Sequence, residues 1–164
     1  MRKNTPPGTP VPLQVLLADD DIDDRTVFET VLKELPMATL LETVGDGEEL
    51  MIYLSENSGN LPDVLFLDLN MPKKKGSECL AEIKGNAKLK RLPVIMYSTA
   101  VHDDIANHLY NNGAHYYFRK TDMVRIQNLL HHVLSLLVEN NFARPPRINL
   151  SLRWRWNRTG CRWF

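Results

Sequence analysis

Three aspartates stand where short apolar runs end, and together they have the chemistry of a metal site. Asp19 and Asp20 end one run, and Asp68 ends another. Carboxylates that are brought together repel one another, and a hard divalent cation relieves that repulsion. An all-oxygen ligand set favours magnesium, and the backbone carbonyl of Asn70 could complete it. These residues therefore predict a Mg²⁺ site.

Asp68 also has the chemistry of a nucleophile. A carboxylate can attack phosphorus to give an aspartyl phosphate. Because both partners are anionic, the attack needs charge neutralisation, which a metal and a lysine can provide. Lys120 ends a later apolar run and can supply that cation, while Ser98 and Thr99 follow another run and offer hydroxyls to phosphoryl oxygens.

Five apolar runs that alternate with five helical patterns would bring these side chains together. The predicted strands are Leu13–Ala18, Leu40–Val44, Val64–Asp68, Val94–Tyr97 and His115–Arg119. The predicted helices are about Asp23–Leu35, Glu48–Ser55, Ser77–Lys84, Asp103–Asn111 and Thr121 to about Asn140. The alternation favours an α/β fold with a flavodoxin-like, doubly wound parallel sheet in the order 2-1-3-4-5. In that order the carboxyl ends of strands one, three, four and five are neighbours.

Local signals set the expected ends of these helices. Asp23 and Asp24 suit the first N-terminus as caps and dipole partners. Gly85 and Gly113 are expected to end the third and fourth helices. The last helix carries more apolar side chains than one face can bury, which suggests a partner or dimer surface. Those side chains are Leu129, Leu130, Val133, Leu136, Leu137 and Val138.

Composition predicts one domain with two unlike ends. The first 12 residues contain four prolines and are expected to be a disordered lead-in to a domain at 13–140. Residues 141–164 carry six arginines and no acid, so residues 1–140 hold 14 basic and 20 acidic side chains, a net charge of −6. The tail, rich in arginine and tryptophan, is compatible with nucleic-acid or membrane-surface binding, or with a disordered extension added by cloning or read-through.

Other classes of protein find little support in the composition. The apolar runs are all shorter than the roughly 20 residues that cross a bilayer, and prolines stand where a signal peptide needs an apolar segment. We therefore expect a cytoplasmic protein without a membrane span. Cys79 and Cys161 have neither disulfide-framework nor zinc-site spacing. The tail is too short for a DNA-binding domain.

The motifs LLADDD (16–21), FLDLNMP (66–72), LPVIMYSTA (92–100) and GAHYYFRK (113–120) resemble the CheY-like receiver domain of bacterial two-component response regulators. The resemblance covers about residues 13–140 and extends to the single-domain regulators that serve phytochrome-type kinases. It implies a phosphoacceptor rather than an enzyme, which takes part in its own Mg²⁺-dependent phosphorylation and dephosphorylation. Its expected partners are a histidine kinase or histidine phosphotransfer protein, with a possible homodimer through helix four, strand five and helix five.

By this resemblance each predicted site residue acquires a role. Asp68 is the phosphoacceptor, and Asp19 and Asp20 hold Mg²⁺ with the Asn70 carbonyl. Ser98, rather than Thr99, is the switch hydroxyl. Lys120 pairs with the phosphoryl group, and Tyr117 is the aromatic switch residue. Two positions depart from the usual pattern: Thr121 replaces a proline, and Ala100 occupies a position that influences dephosphorylation.

Two alternative functions stay open. A receiver-like binding module that is never phosphorylated would share the fold. A phosphatase with an aspartyl nucleophile is a further alternative, but the haloacid dehalogenase type needs a second carboxylate two residues after the nucleophile. That position is Asn70, which counts against the phosphatase.

Overall fold

A parallel sheet of five strands in the order β2-β1-β3-β4-β5 forms the centre of the molecule, as predicted. The computed structural model describes residues 11–99, 103–120 and 122–143. The strands are β1 (Leu13–Ala18), β2 (Thr39–Val44), β3 (Val64–Leu67), β4 (Val94–Ser98) and β5 (Tyr116–Arg119). The helices are α1 (Ile22–Glu34), α2 (Gly47–Glu56), α3 (Gly76–Gly85), α4 (Asp103–Asn111) and α5 (Met123–Val138).

Two apolar layers cover the sheet because successive strand residues point to opposite faces. On one face Leu65 and Leu67 of β3 pack with residues of α2, α3 and α4. On the other face Val64 and Phe66 pack with residues of α1 and α5. Phe28 of α1 meets the Phe66 ring edge-on, with centroids 5.0 Å apart. All four residues of β3 are buried, as expected for a strand covered on both sides.

Helix ends mostly follow the predicted signals, with two corrections. Asp21, not Asp23 or Asp24, is the N-cap of α1; its carboxylate accepts hydrogen bonds from the backbone N–H groups of those two residues. Asp23 and Asp24 do stand in the acidic first turn. Gly85 lies inside α3, whose C-cap is Asn86 at an extended φ of −88°. Gly113 follows α4 with a φ of +100°, the left-handed conformation that was predicted.

The apolar surplus predicted for α5 is mostly covered within the domain. Leu129, Leu130 and Val133 are buried and Leu136 and Leu137 are half-buried, whereas Val138 is 60% exposed. Among the described residues, no helix is both long and apolar enough to cross a membrane. A dimer through α4, β5 and α5 stays a prediction.

Several predictions fall wholly or largely outside the described residues. The lead-in is described only at Val11 and Pro12, and the tail only over residues 141–143. Ala100 and Thr121, the two departures from the receiver pattern, also lie outside them. The predicted domain boundaries therefore stay predictions.

Candidate functional site

Three carboxylates converge at the carboxyl end of the sheet. Asp19, Asp20 and Asp68 each offer one oxygen, and these oxygens lie within 4.8 Å of one another. Asp19 is fully buried and Asp68 nearly so, whereas Asp20 is exposed. The cluster thus has two oxygens inside the fold and one at its mouth, an arrangement that leaves a path for an ion.

Backbone hydrogen bonds of the sheet set these positions. The Asp19 N–H donates to the Val44 carbonyl at 3.0 Å, and the Asp68 N–H donates to the Ala18 carbonyl at 2.9 Å. Lys120 is held in the same way, since its N–H donates to the Ser98 carbonyl at 2.9 Å. Each of these three residues therefore continues the hydrogen-bond ladder by one position past its strand.

Among the described residues, Lys120 is the cation that contacts the carboxylates of the site. Its side chain is 8% exposed, and Nζ lies 2.7 Å from Asp19 Oδ2, 2.9 Å from Asp24 Oδ2 and 3.3 Å from Asp68 Oδ2. The same Nζ lies 5.5 Å from the centroid of the Tyr97 ring, within cation–π range. One ammonium group is thus shared among three carboxylates and an aromatic face.

Burial and charge act on the site in opposite directions. Burial raises the pKa of Asp19 and of Asp68, and the nearby Lys120 charge offsets part of each rise. Burial by itself would lower the pKa of Lys120, but the close contacts of its ammonium group with Asp19 and Asp24 and the charge of Asp68 outweigh it and raise that pKa. The neighbouring acids therefore favour the charged form of Lys120, and Lys120 in turn favours the charged forms of Asp19 and Asp68.

The residues present fit a hard divalent cation. Asp19 Oδ2 is buried and, among the described residues, has no hydrogen-bond donor in suitable geometry; its contact with Lys120 is an ion pair. A buried carboxylate oxygen without a donor has an unused lone pair, and an all-oxygen set of this kind suits magnesium or manganese. Asn70 is exposed, and its backbone N–H bonds to the Asp68 carboxylate. The predicted contribution of its carbonyl stays a prediction.

Ser98 and Tyr117 form a neutral pair on the other side of the site. Ser98 is fully buried at the end of β4, while Thr99 is exposed. The side chains of Tyr117 and Ser98 are hydrogen-bonded, and Tyr117 is only 5% exposed. The structure thus brings Ser98 and Tyr117 together near Asp68, whose charge contributes to the raised pKa of Tyr117 after burial.

Close backbone packing holds the loop that follows Asp68. A Cβ atom on Gly76 would lie 2.0 Å from the Asp68 carbonyl oxygen, so only glycine fits there. The Gly76 N–H donates to the Leu69 carbonyl at 3.0 Å. Lys73 adopts a φ of 63°, and its Nζ pairs with Asp46 Oδ2 at 2.6 Å. These contacts tie the loop to the N-terminus of α2.

Sequence reasoning missed Asp24 and Tyr97 as neighbours of the site. Asp24 precedes Phe28 and Val31 by four and seven residues, the spacing of one helix face. This spacing could have shown from the sequence that the Asp24 carboxylate lies on the inward face of the helix. Tyr97 carried no such signal, because its contact depends on the path of the Lys120 side chain. Arg25 was also missed; its guanidinium donates to the Asp19 carbonyl at 2.7 Å.

Comparison with known proteins identifies the family. A sequence model described as the response regulator receiver domain matches residues 15–133. This chain belongs to the response regulator receiver domain family. The predicted family and the predicted fold are therefore confirmed. Receiver domains are parts of two-component signalling systems and in general are not enzymes.

Two curated relatives illustrate the similarity. Response regulator Rcp1 of Synechocystis sp. is 40% identical over 98 residues, covering 57% of this chain and 66% of Rcp1, just under two thirds of its length. The probable methanogenesis regulatory protein FilR2 of Methanothrix harundinacea is 30% identical over 112 residues, covering 66% of this chain and 72% of FilR2.

Solved structures of receiver proteins superpose on the same fold. The phosphorylated cyanobacterial phytochrome response regulator RcpA has a TM-score of 0.71 at 30% identity, covering 79% of this chain and 96% of RcpA. The Mn²⁺-bound form of Rcp1 has a TM-score of 0.70 at 31% identity, covering 82% of this chain and all of Rcp1. The similarity to phytochrome-associated regulators is therefore confirmed.

Proposed function

We propose that this receiver domain accepts a phosphoryl group on Asp68 from a histidine kinase or a histidine phosphotransfer protein, and signals by protein–protein contact. The observation that carries the proposal is the Asp68 carboxylate itself. It lies at the end of β3 beside the ammonium of Lys120, at 3.3 Å, and within the acid cluster. RcpA, a relative in structure, has been crystallised in phosphorylated form, which supports the same chemistry here.

The proposed transfer moves one phosphoryl group between two residues. An Asp68 carboxylate oxygen attacks the phosphorus of a phosphohistidine, forming an O–P bond as the N–P bond breaks. The donor imidazole leaves with the electron pair of the broken bond and takes a proton from solvent. Lys120 stabilises the negative charge on the transferring oxygens, because it is a cation inside a largely water-excluded site.

Asp19, Asp20 and Asp68 are the residues that would hold Mg²⁺ in this proposal, with the Asn70 carbonyl as a further ligand. When bound, the ion neutralises carboxylate charge and phosphoryl charge together. The buried Asp19 oxygen without a hydrogen-bond donor supports this assignment. Lys120 cannot replace the ion, since a single positive charge is already shared among three acids.

Phosphorylation would act on the rest of the domain through Ser98 and Tyr117. A phosphoryl group on Asp68 adds charge and acceptor oxygens that compete for the Ser98 hydroxyl. Release of Ser98 from Tyr117 would let the aromatic ring repack against α4 and β5. A switch from 1:99 to 99:1 requires about 5.5 kcal/mol of preference. Two or three charge-assisted hydrogen bonds at roughly 1.5–3 kcal/mol each can supply it.

Acetyl phosphate and Mg²⁺ test this function directly. The intact chain is expected to gain one phosphoryl group by mass spectrometry, and Asp68→Asn is expected to gain none. Asp63→Asn is the matched control because Asp63 lies at the opposite end of β3, where its carboxylate accepts a hydrogen bond from the Gln14 N–H at 2.8 Å. Equal uptake by Asp68→Asn would reject Asp68 as the acceptor. If wild type gains nothing from acetyl phosphate or from a broadly acting histidine kinase, the chain is instead a receiver-shaped binding module.

A further inference from the structure

Asp24 is an acid of the site to which the receiver resemblance assigns no role. It lies in the first turn of α1, and its side chain is 36% exposed. Its carboxylate accepts a hydrogen bond from Lys120 Nζ at 2.9 Å, across 96 residues of sequence. The three acids of the cluster are Asp19, Asp20 and Asp68, so Asp24 approaches the lysine from outside that group.

The distances describe an unequal sharing of one ammonium group. Lys120 Nζ is closer to Asp19, at 2.7 Å, and to Asp24, at 2.9 Å, than to Asp68, at 3.3 Å. An ammonium has three hydrogens and a fixed total charge, so each close carboxylate reduces what is available to the next. Asp19 is buried at the base of the site and cannot withdraw, whereas Asp24 is partly exposed.

The location of Asp24 sets the direction of its pull. Asp24 belongs to α1, on the face of the sheet where Phe28 and Tyr97 pack. Lys120 Nζ also lies over the Tyr97 ring. The ion pair with Asp24 therefore holds the lysine toward α1, on the side of the site away from Ser98.

We propose that Asp24 is a positioning residue that restrains Lys120 and so slows phosphoryl transfer to Asp68. This inference rests on the proposed function. In the transition state Lys120 must move its charge toward the oxygens on phosphorus, and it leaves Asp24 without a cation as it does so. Removal of the Asp24 charge eliminates that competition, and transfer to Asp68 becomes faster.

The rate of phosphoryl uptake from acetyl phosphate with Mg²⁺ tests the proposal. Asp24→Asn is expected to be faster than wild type by about two- to fivefold, the rate equivalent of one partly exposed ion pair. Asp23→Asn is the matched control, because it removes the same charge from the adjacent residue of α1 and Asp23 is exposed. Asp24→Glu keeps the carboxylate and is expected to restore the wild-type rate.

Chemical labelling of Lys120 separates positioning from simple charge repulsion. Acetylation of Lys120 by an amine-reactive reagent, measured by peptide mass spectrometry, is expected to be about two- to fivefold faster in Asp24→Asn than in Asp23→Asn, since a held ammonium reacts slowly. An unchanged labelling rate would show that Asp24 does not hold the lysine and would overturn the proposal.

The outcomes for the proposed function and for Asp24 are distinguishable. If wild type and Asp23→Asn both fail to gain a phosphoryl group, the proposed function fails and the role of Asp24 falls with it. If all variants gain it and Asp24→Asn is no faster than Asp23→Asn, the proposed function stands and only the role of Asp24 is overturned.

Discussion

The two flanks of the Asp68 site differ in the kind of interaction that builds them. Toward α1 and α5 the flank is ionic: Lys120 is bonded to Asp19 and Asp24. Toward α3 and α4 the flank is neutral, a hydrogen bond between Ser98 and Tyr117 beside an apolar layer. Buried charges are costly unless paired, whereas a neutral hydrogen bond contributes only about 1 kcal/mol. The ionic flank is therefore suited to hold charge, and the neutral flank to rearrange at low cost.

Lys120→Met is expected to give the largest effect on this contrast. It leaves Asp19 and Asp68 without their cation, so the free energy of unfolding at neutral pH should fall by about 3 kcal/mol. The loss should shrink as pH falls, because both acids have raised pKa values and become neutral by protonation. Urea unfolding at pH 7.5 and pH 5 measures both effects. Lys33→Met removes an exposed pair with Glu29 and should change stability by less than about 0.5 kcal/mol.

Addition of Mg²⁺ should stabilise the folded wild-type chain, because the ion would bind the acid cluster on the ionic flank. Binding to the folded state alone raises the free energy of unfolding by about 2.7 kcal/mol when the ion is at 100 times its Kd. A thermal unfolding series with Mg²⁺ should therefore show a rising Tm in wild type. Asp20→Asn should abolish the rise, whereas Asp23→Asn should retain it. A Tm that is independent of Mg²⁺ in wild type would contradict the assignment of the acid cluster.

His132 on α5 provides a pH dependence that must be separated from that of the site. Burial, and then the charge of His131, lower its pKa from 6.5 to about 4. Below about pH 6.5 the unfolded chain therefore binds a proton at this residue while the folded chain does not. The contribution of neutral His132 to the free energy of unfolding is complete above about pH 6.5 and is lost as pH falls toward 4. His132→Gln should remove about 1–3 kcal/mol of acid destabilisation between those values. His131→Gln, on the exposed neighbour, should remove much less, and equal effects would reject the assignment.

Tyr117→Phe should have the smallest effect, because the neutral flank contributes one hydrogen bond. Loss of the hydroxyl should lower the free energy of unfolding by about 1 kcal/mol, while phosphoryl uptake from acetyl phosphate stays near the wild-type rate. Tyr116→Phe makes the same change on the opposite face of the sheet and serves as the control. A tenfold drop in uptake with Tyr117→Phe would show that the tyrosine takes part in the transfer step. It would contradict the conclusion that only the ionic flank acts in that step.

Local sequence patterns predicted every strand and helix, but they predicted the ends of only some of these elements correctly. The runs at Leu13–Ala18 and Asp103–Asn111 match β1 and α4 residue for residue. Gly85 was wrongly expected to end α3, because a glycine that has room can stay helical; a Cβ there would meet nothing within 4 Å. Gly113 did follow its helix as predicted, since its φ of +100° excludes most other residues.

The sequence alone determined which polar residues stand at or just after the carboxyl ends of the strands, namely the acid cluster, Lys120 and Ser98. That information is local, because apolar runs and turn residues specify where a strand stops, and a parallel sheet brings the stopping points together. Only the tertiary structure decided how Lys120 is shared, with Asp24 at 2.9 Å and Asp68 at 3.3 Å. A lysine side chain has several rotatable bonds, and its direction depends on charges and rings contributed by distant segments. The identity of the site is therefore encoded along the chain, whereas its charge balance arises only on folding.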